Sequence, residues 1–239
     1  MRTILYLSLI IIATSAYLKG IDVSTWQGKN INWNQVKSDG VKFAIIRAGY
    51  VGRGGTVRDD TFDINYKNAK AAKVPLGVYW YSYATSQKGG EKEALACLSV
   101  IKGKKFEWPI YIDIEEKSQF AAGKKAVSSV VRGWCETLKK HKYYCGLYCG
   151  ASDYGTHFED DVKKKYPIWV AHYGVTKPRY EGKWGIWQYS SKGKIDGIEG
   201  DVDLDYGYVD YEKIIVENHF NVYGRQIRQN NLIFQTIAI

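Results

Sequence analysis

The stretch Trp108-Pro109-Ile110-Tyr111-Ile112-Asp113-Ile114-Glu115-Glu116 alternates with period 2, placing Tyr111, Asp113 and Glu115 on one face of a strand and Ile110, Ile112 and Ile114 on the other. In a barrel the three isoleucines would pack under helices and the two acids would point inward at the strand's carboxyl end. Working outward, seven more segments read as strands: Lys19 to Ser24, Phe43 to Tyr50, Leu76 to Tyr83, Tyr144 to Gly150, Ile168 to Tyr173, Gly185 to Tyr189 and Val202 to Tyr208. Helix patterns lie between several of them. The clearest is Gly123 to His141, with Val127, Val130, Val131, Trp134 and Leu138 on one stripe; Asp60 to Lys73 and Gly90 to Ile101 are further candidates. Residues 152–165 and 175–183 look shorter or less regular. Strands alternating with helices predict parallel pairing, and eight of them predict a closed α/β barrel with its functional side chains at the carboxyl ends of the strands. Asp22, Asp113, Glu115, Tyr173 and Gln188 fall at such ends, and Asp203 lies in the last strand.

The chain has 239 residues, 45% hydrophobic and 25% charged, which excludes disorder, collagen and coiled coil and suffices for one sizeable core. With 20 Tyr, 8 Trp and 7 Phe it is rich in flat amphipathic side chains suited to lining a groove. The net charge of +9 favours anionic partners such as nucleic acid, acidic membranes or the teichoic acids of a bacterial wall. Met1 and Arg2, the apolar run Ile4 to Ala13 and the small residues Thr14 to Ala16 have the layout of a secretory signal peptide cleaved after Ala16, so a leader over 1–16 and a secreted product are expected. No later stretch is long enough to span a bilayer.

Cys97, Cys135, Cys145 and Cys149 make an even count, and a disulfide is compatible with export. Cys145 and Cys149 share one strand, about 13 Å apart in extended chain, beyond the roughly 4.4–6.8 Å a disulfide needs. Any other pairing, or four thiols, stays open. Gly49-Tyr50-Val51-Gly52-Arg53-Gly54-Gly55 lacks the Lys-Ser/Thr of a phosphate loop and reads as a flexible edge loop. The four histidines show no metal spacing, and no nucleophile elbow is present. Asp201, Asp203, Asp205 and Glu212 mimic the spacing of a calcium loop, but Tyr206 stands where that loop needs glycine. No metal and no cofactor are expected.

Two acids this close repel, so the charge of one should raise the pKa of the other, which suits a general acid that must hold its proton at neutral pH. Glycoside hydrolysis needs one such acid and a second negative group to stabilise or trap an oxocarbenium-like centre. Glu116 faces the other way and reads as a helix cap or solvated strand end.

Six segments resemble, in order, the motifs of glycoside hydrolase family 25, the Chalaropsis-type N-acetylmuramidases. They are Gly20-Ile21-Asp22-Val23-Ser24-Thr25-Trp26-Gln27-Gly28, Phe43-Ala44-Ile45-Ile46-Arg47-Ala48-Gly49, Gly77-Val78-Tyr79, Ile112-Asp113-Ile114-Glu115, Trp187-Gln188-Tyr189 and Val202-Asp203-Leu204-Asp205. The resemblance implies an irregular TIM-like (β/α) barrel with eight strands and fewer helices. It also implies hydrolysis of the β-1,4 bond between N-acetylmuramic acid and N-acetylglucosamine in bacterial peptidoglycan, a bacteriolytic lysozyme activity. On this basis Glu115 is the general acid and Asp113 the carboxylate that positions or stabilises the substrate's acetamido group. Asp22 and Asp203 line the groove, and Tyr79, Tyr111 and Gln188 contact sugar. Trp26 and Trp187 are each either sugar platforms or packing residues. The catalytic barrel is expected over 17–213, the alternative being a non-catalytic peptidoglycan- or chitin-oligosaccharide-binding protein on the same barrel, with a tail over 214–239 and a closing helix near Tyr211 to Val216. Peptidoglycan is the expected partner, nucleic acid is not, and the expected state is a monomer without stable membrane insertion.

Overall fold

The computed structural model describes residues 17–222 except 180, 181 and 183, so the expected leader over 1–16 and the end of the tail lie outside the described residues. In chain order the elements are β1 (Leu18–Val23), α1 (Trp33–Ser38), β2 (Phe43–Gly52), β3 (Gly55–Arg58), α2 (Phe62–Ala71), β4 (Leu76–Tyr81), α3 (Gln87–Ile101), β5 (Ile110–Asp113) and α4 (Lys117–Ala121). They continue with α5 (Lys124–Lys140), β6 (Cys145–Gly150), α6 (Ala151–His157), α7 (Asp160–Lys165), β7 (Ile168–Ala171), β8 (Ile186–Gly193), β9 (Val202–Gly207) and α8 (Tyr211–Glu217). Eight strands close in the order β1-β9-β8-β7-β6-β5-β4-β2, with β2 returning to β1 and β3 attached outside β2. This is the irregular TIM-like barrel, with no described helix between β7 and β8 or between β8 and β9.

Two of the expectations change. All-parallel pairing fails at β9, which runs antiparallel to both β8 and β1. Only residues 194–201 join β8 to β9, and a parallel crossover needs a dozen or more. The glycine-rich segment after Arg47 is no loose loop: β2 runs to Gly52 and turns back into β3, pairing Gly49 with Arg58 and Val51 with Thr56. The register of β2 against β4 slips between Arg47 and Gly49, a bulge that carries the hairpin away from the barrel wall.

The alternation of β5 divides the core as its pattern requires. Ile110, Ile112 and Ile114 are buried with Val127, Val130, Val131, Trp134 and Leu138 of α5 in the layer between sheet and helices. Tyr111 instead joins Phe43, Ile45, Trp108, Trp169, Ile186, Tyr211 and Ile215 inside the barrel. The interior aromatics are layered, with Phe43 stacked on Trp108 at 3.7 Å and Tyr111 edge-on to Trp169 at 5.4 Å. Glycines on the facing walls make the room: a Cβ on Gly20 would stand 2.1 Å from the Phe43 ring, and one on Gly146 2.4 Å from Tyr111. The barrel floor is therefore filled by rings, with the acids above them at the mouth.

The closing helix α8 crosses residue 213, and packing continues beyond it. Ile215 is buried, and the side chain of Asn221 is fully enclosed. Asn221 Nδ2 donates to the carbonyls of Phe106 (3.1 Å) and Trp108 (3.0 Å), while its Oδ1 accepts from the Tyr144 amide at 2.8 Å. This side chain ties β5 and β6 together at the end opposite the mouth. The four cysteines are unpaired, and Cys145 and Cys149 lie on one strand.

Asn221→Ala strands buried backbone groups, each worth about 1–3 kcal/mol. We expect a loss of about 3 kcal/mol, seen as a fall of about 6–12 °C in the thermal midpoint by calorimetry. An unchanged midpoint would contradict the docking of this segment.

Candidate active site

A cavity of about 170 Å³ opens at the carboxyl ends of the parallel strands, lined by Asp22, Tyr79, Asp113, Glu115, Tyr148, Trp169, Tyr173, Gln188 and Asp203. Each side chain arrives by strand parity. Asp22 is the penultimate residue of β1, two past Gly20, Asp113 ends β5 two residues above Tyr111, and Gln188 stands two above Ile186 on β8. Asp203 reaches the same level from the opposite chain direction, because β9 enters from the mouth and pairs it with Asp22. Glu115 lies past the last residue of β5, just before α4 begins. It is exposed overall, with its carboxyl against the cavity.

Hydrogen bonds fix this layer. Gln188 Nε2 donates to Asp22 Oδ2 at 2.6 Å, and the hydroxyls of Tyr148 (2.8 Å) and Tyr173 (2.5 Å) both donate to Gln188 Oε1. With both ends of the amide engaged, Gln188 holds Asp22 in one orientation. Beneath them Trp169 Nε1 donates to Asp205 Oδ1 at 2.8 Å. Tyr79 hydrogen-bonds the Ser24 side chain and packs edge-on to Trp169. Arg47 on β2 supplies positive charge and is itself held by Asp59 at 2.6 Å. Asp113 is buried, and its Oδ1 has no hydrogen-bond partner. An orphaned buried acceptor beside a cavity is costly unless something entering the cavity completes it.

The electrostatics follow from crowding. Burial, then the neighbouring Glu115, hold Asp113 well above the ordinary carboxyl range against the pull of Arg47. Burial, then Asp203 and Asp205, do the same to Asp22. Asp205 is likewise held well above its usual range, first by burial, although the Trp169 bond opposes the shift. Desolvation and then Glu115 push Asp203 up to about 6. Glu115 is raised mainly by desolvation and then by Glu116, with a Tyr81 hydrogen bond opposing. Glu116 stands apart: it caps α4 in a box with Gln119 and accepts the Tyr81 hydroxyl at 2.6 Å.

Six of the eight residues expected at the site line this cavity. Tyr111 does not, because it faces inward one layer too deep and is fully buried under Trp169. Trp187 does not either, since the residue beside inward-facing Gln188 must face outward; it packs in the outer layer and donates to the His172 carbonyl at 2.9 Å. Sequence reasoning missed Tyr148 and Trp169, although each occupies an inward position on its strand. It also left Asp205 without a role, although Asp205 shares a face with Asp203. The calcium-like spacing falls apart: Asp203 and Asp205 lie on strand β9, Asp201 pairs with Lys194, and Glu212 sits on α8 beside Lys70 and Glu107. Among the described residues no acidic, histidine or cysteine group is arranged to hold a metal ion.

The sequence model described as glycosyl hydrolases family 25 matches residues 21–198. Lysozyme M1 of Streptomyces globisporus is 33% identical over 208 residues, covering 80% of this chain and 68% of that protein. The autolytic lysozyme of Clostridium acetobutylicum is 31% identical, over 79% of this chain and 55% of its own. Among solved structures, the bacterial lysozyme from Streptomyces coelicolor superposes with a TM-score of 0.71 at 30% identity, covering 82% of this chain and 94% of that one. The modular autolysin LytC of Streptococcus pneumoniae, solved with a synthetic peptidoglycan ligand, gives 0.73 at 26% identity over 82% of this chain and 48% of that one. The chain thus spans about half the length of the clostridial and pneumococcal relatives.

A carboxyl whose pKa is raised by folding binds its proton more tightly in the folded state, so its contribution to stability is present at low pH and lost as pH rises through the shifted value. For Asp203 that window runs from its ordinary 3.8 to about 6. Asp203→Asn is therefore expected to raise the thermal midpoint at pH 7 by about 2–4 °C, equivalent to about 1 kcal/mol after allowing for partial exposure. The two proteins should converge near pH 3.5, and a variant no more stable at pH 7 would contradict the crowding.

Proposed function

Because the chain belongs to glycosyl hydrolase family 25, we propose that it is a secreted lysozyme in which Glu115 protonates the glycosidic oxygen between N-acetylmuramic acid and N-acetylglucosamine. The observation that carries this assignment is the position of Glu115: a carboxyl of raised pKa at the open end of a cleft walled by buried acids. A general acid needs both properties, a proton held to higher pH than an ordinary carboxyl holds it and access to the leaving oxygen. Hydrolysis then balances simply. The Glu115 proton goes to the leaving sugar's oxygen, the C–O bond breaks, and water supplies hydroxyl to the anomeric carbon and returns a proton to the site.

Asp113 lies buried below Glu115, and its unpaired Oδ1 is the partner for the substrate's acetamido group as positive charge develops at the anomeric centre. Asp203, which titrates near 6, adds negative potential on the opposite wall above that pH, and Asp22, oriented by Gln188, offers a fixed polar contact beside it. Tyr79, Tyr148 and Tyr173 supply the flat walls of a saccharide cleft. The positive net charge brings the enzyme to an anionic cell wall. We assign residues 1–16 as the export leader, the barrel from residue 17 as the catalytic unit and the monomer as the working form. No helix of the described residues is long and apolar enough to cross a membrane.

Glu115→Gln removes the proton donor with little change in volume. It is expected to lower kcat on purified peptidoglycan by about 10²–10⁴-fold while leaving the thermal midpoint at pH 7 at or slightly above that of the wild type, since one crowded charge is removed. Wild-type kcat/KM should fall as pH rises through the raised Glu115 pKa, and mass analysis should find muramic acid at the new reducing ends. Glucosamine ends would contradict the bond assignment, and equal activity in both proteins would favour a different donor. A wild type that binds the wall without cutting it would point to the non-catalytic alternative.

A further inference from the structure

Trp26 is 84% exposed, the most open of the large hydrophobic side chains among the described residues. Its backbone is unusually well fixed for so open a side chain. The turn after β1 is closed by Gln27 N to Ser24 O (3.1 Å) and Gly28 N to Thr25 O (3.2 Å). The Trp26 amide donates to Ser24 Oγ at 3.2 Å, and Gln27 Oε1 accepts from the Ser24 amide at 3.0 Å. The turn is also clamped from outside. Thr25 N donates to Asp59, Gln27 Nε2 to the Asp201 carbonyl, and Asn65 Nδ2 to the Gly28 carbonyl. Seven hydrogen bonds thus fix the backbone from which the open ring projects.

The turn also borders the cleft. Trp26 is four residues past Asp22, within about 13 Å along even a fully extended chain. Ser24, which accepts the Trp26 amide, also bonds the cavity-lining Tyr79. Asp59, which accepts from Thr25, holds Arg47 beside Asp113. The surroundings of the ring are polar, with Thr25, Lys29 and Asn30 exposed beside it. One aromatic face within a polar rim matches a pyranose, whose C–H face stacks while its hydroxyls reach polar neighbours. A membrane surface calls for an apolar stripe of several residues, and a protein interface for a packed ring of contacts.

We propose that Trp26 is a platform for a sugar of the glycan strand at the β1 edge of the cleft, beyond the sugars that flank the cleaved bond. The proposal rests on the muramidase reading of that cleft. A platform that binds a distal sugar acts on substrate capture rather than on bond breaking. Trp26→Ala should therefore raise KM for soluble polymeric peptidoglycan about ten-fold, the equivalent of about 1.4 kcal/mol, with kcat and thermal midpoint unchanged. Trp26→Phe, which keeps a ring, should fall between the two. In the Glu115→Gln background, sedimentation with insoluble peptidoglycan should weaken to the same degree when Trp26→Ala is added. Unchanged KM and sedimentation, a loss confined to kcat, or a Trp26-dependent affinity for anionic lipid vesicles with wall binding unaltered would each overturn the platform. A wild type that cleaves no glycan overturns the muramidase reading instead, and the sedimentation comparison, which needs no turnover, still reads Trp26.

Discussion

Carboxyl groups confined at the mouth of a closed barrel are the constraint on which the rest of this structure depends. Asp22, Asp113, Glu115, Asp203 and Asp205 converge there while Arg47 supplies positive charge from one side. Below them the barrel is plugged by Phe43, Trp108, Tyr111 and Trp169, so the charges can neither sink inward nor draw water from beneath. Neighbouring negative charge and desolvation act in the same direction, and both raise pKa values. The layout costs stability at neutral pH and gives in return carboxyls that hold their protons to higher pH than ordinary acids do.

The scaffold supplies the rigidity that such crowding requires. Gln188 bridges two tyrosine hydroxyls to Asp22, Trp169 bonds Asp205 from below, and Asp59 ties Arg47 to the turn after β1. These partners are spread over β1, β2, β6, β7, β8 and β9 and the segments that follow β3 and β7, so the site is an assembly across the barrel rather than the property of one motif. At the opposite end Asn221 joins β5 to β6, where the strand bearing Asp113 enters the barrel. The two ends are thus mechanically linked through β5.

Much of this was legible in the chain. The alternation from Ile110 to Glu115 gave the two faces of β5, and the ordered motifs gave the barrel and Asp22, Asp113, Glu115 and Asp203 as acids of one site. Depth was not legible. A period of 2 tells which face Tyr111 occupies but not that it lies a layer below the cavity, under Trp169. Strand direction was hidden as well, because a hydrophobic pattern reads the same in both directions; only the short link before β9 marked it as antiparallel. Trp187 was misplaced by its neighbour, since Gln188 and Trp187 cannot share a face. The exposure of Trp26 depends on hydrogen bonds to Asp59, Asn65 and Asp201, which are distant in sequence and close only after folding.

The claim that crowding keeps these acids protonated is tested most directly by a carbon-13 titration of the Asp and Glu carboxyls in the intact protein, followed by NMR and assigned with single Asn and Gln variants. Asp22, Asp113 and Asp205 should remain protonated well above the usual carboxyl range, Asp203 should titrate near 6, and Glu115 should titrate above an ordinary glutamate. Five carboxyls that all titrate between about 3 and 4.5, as in model peptides, would contradict the account.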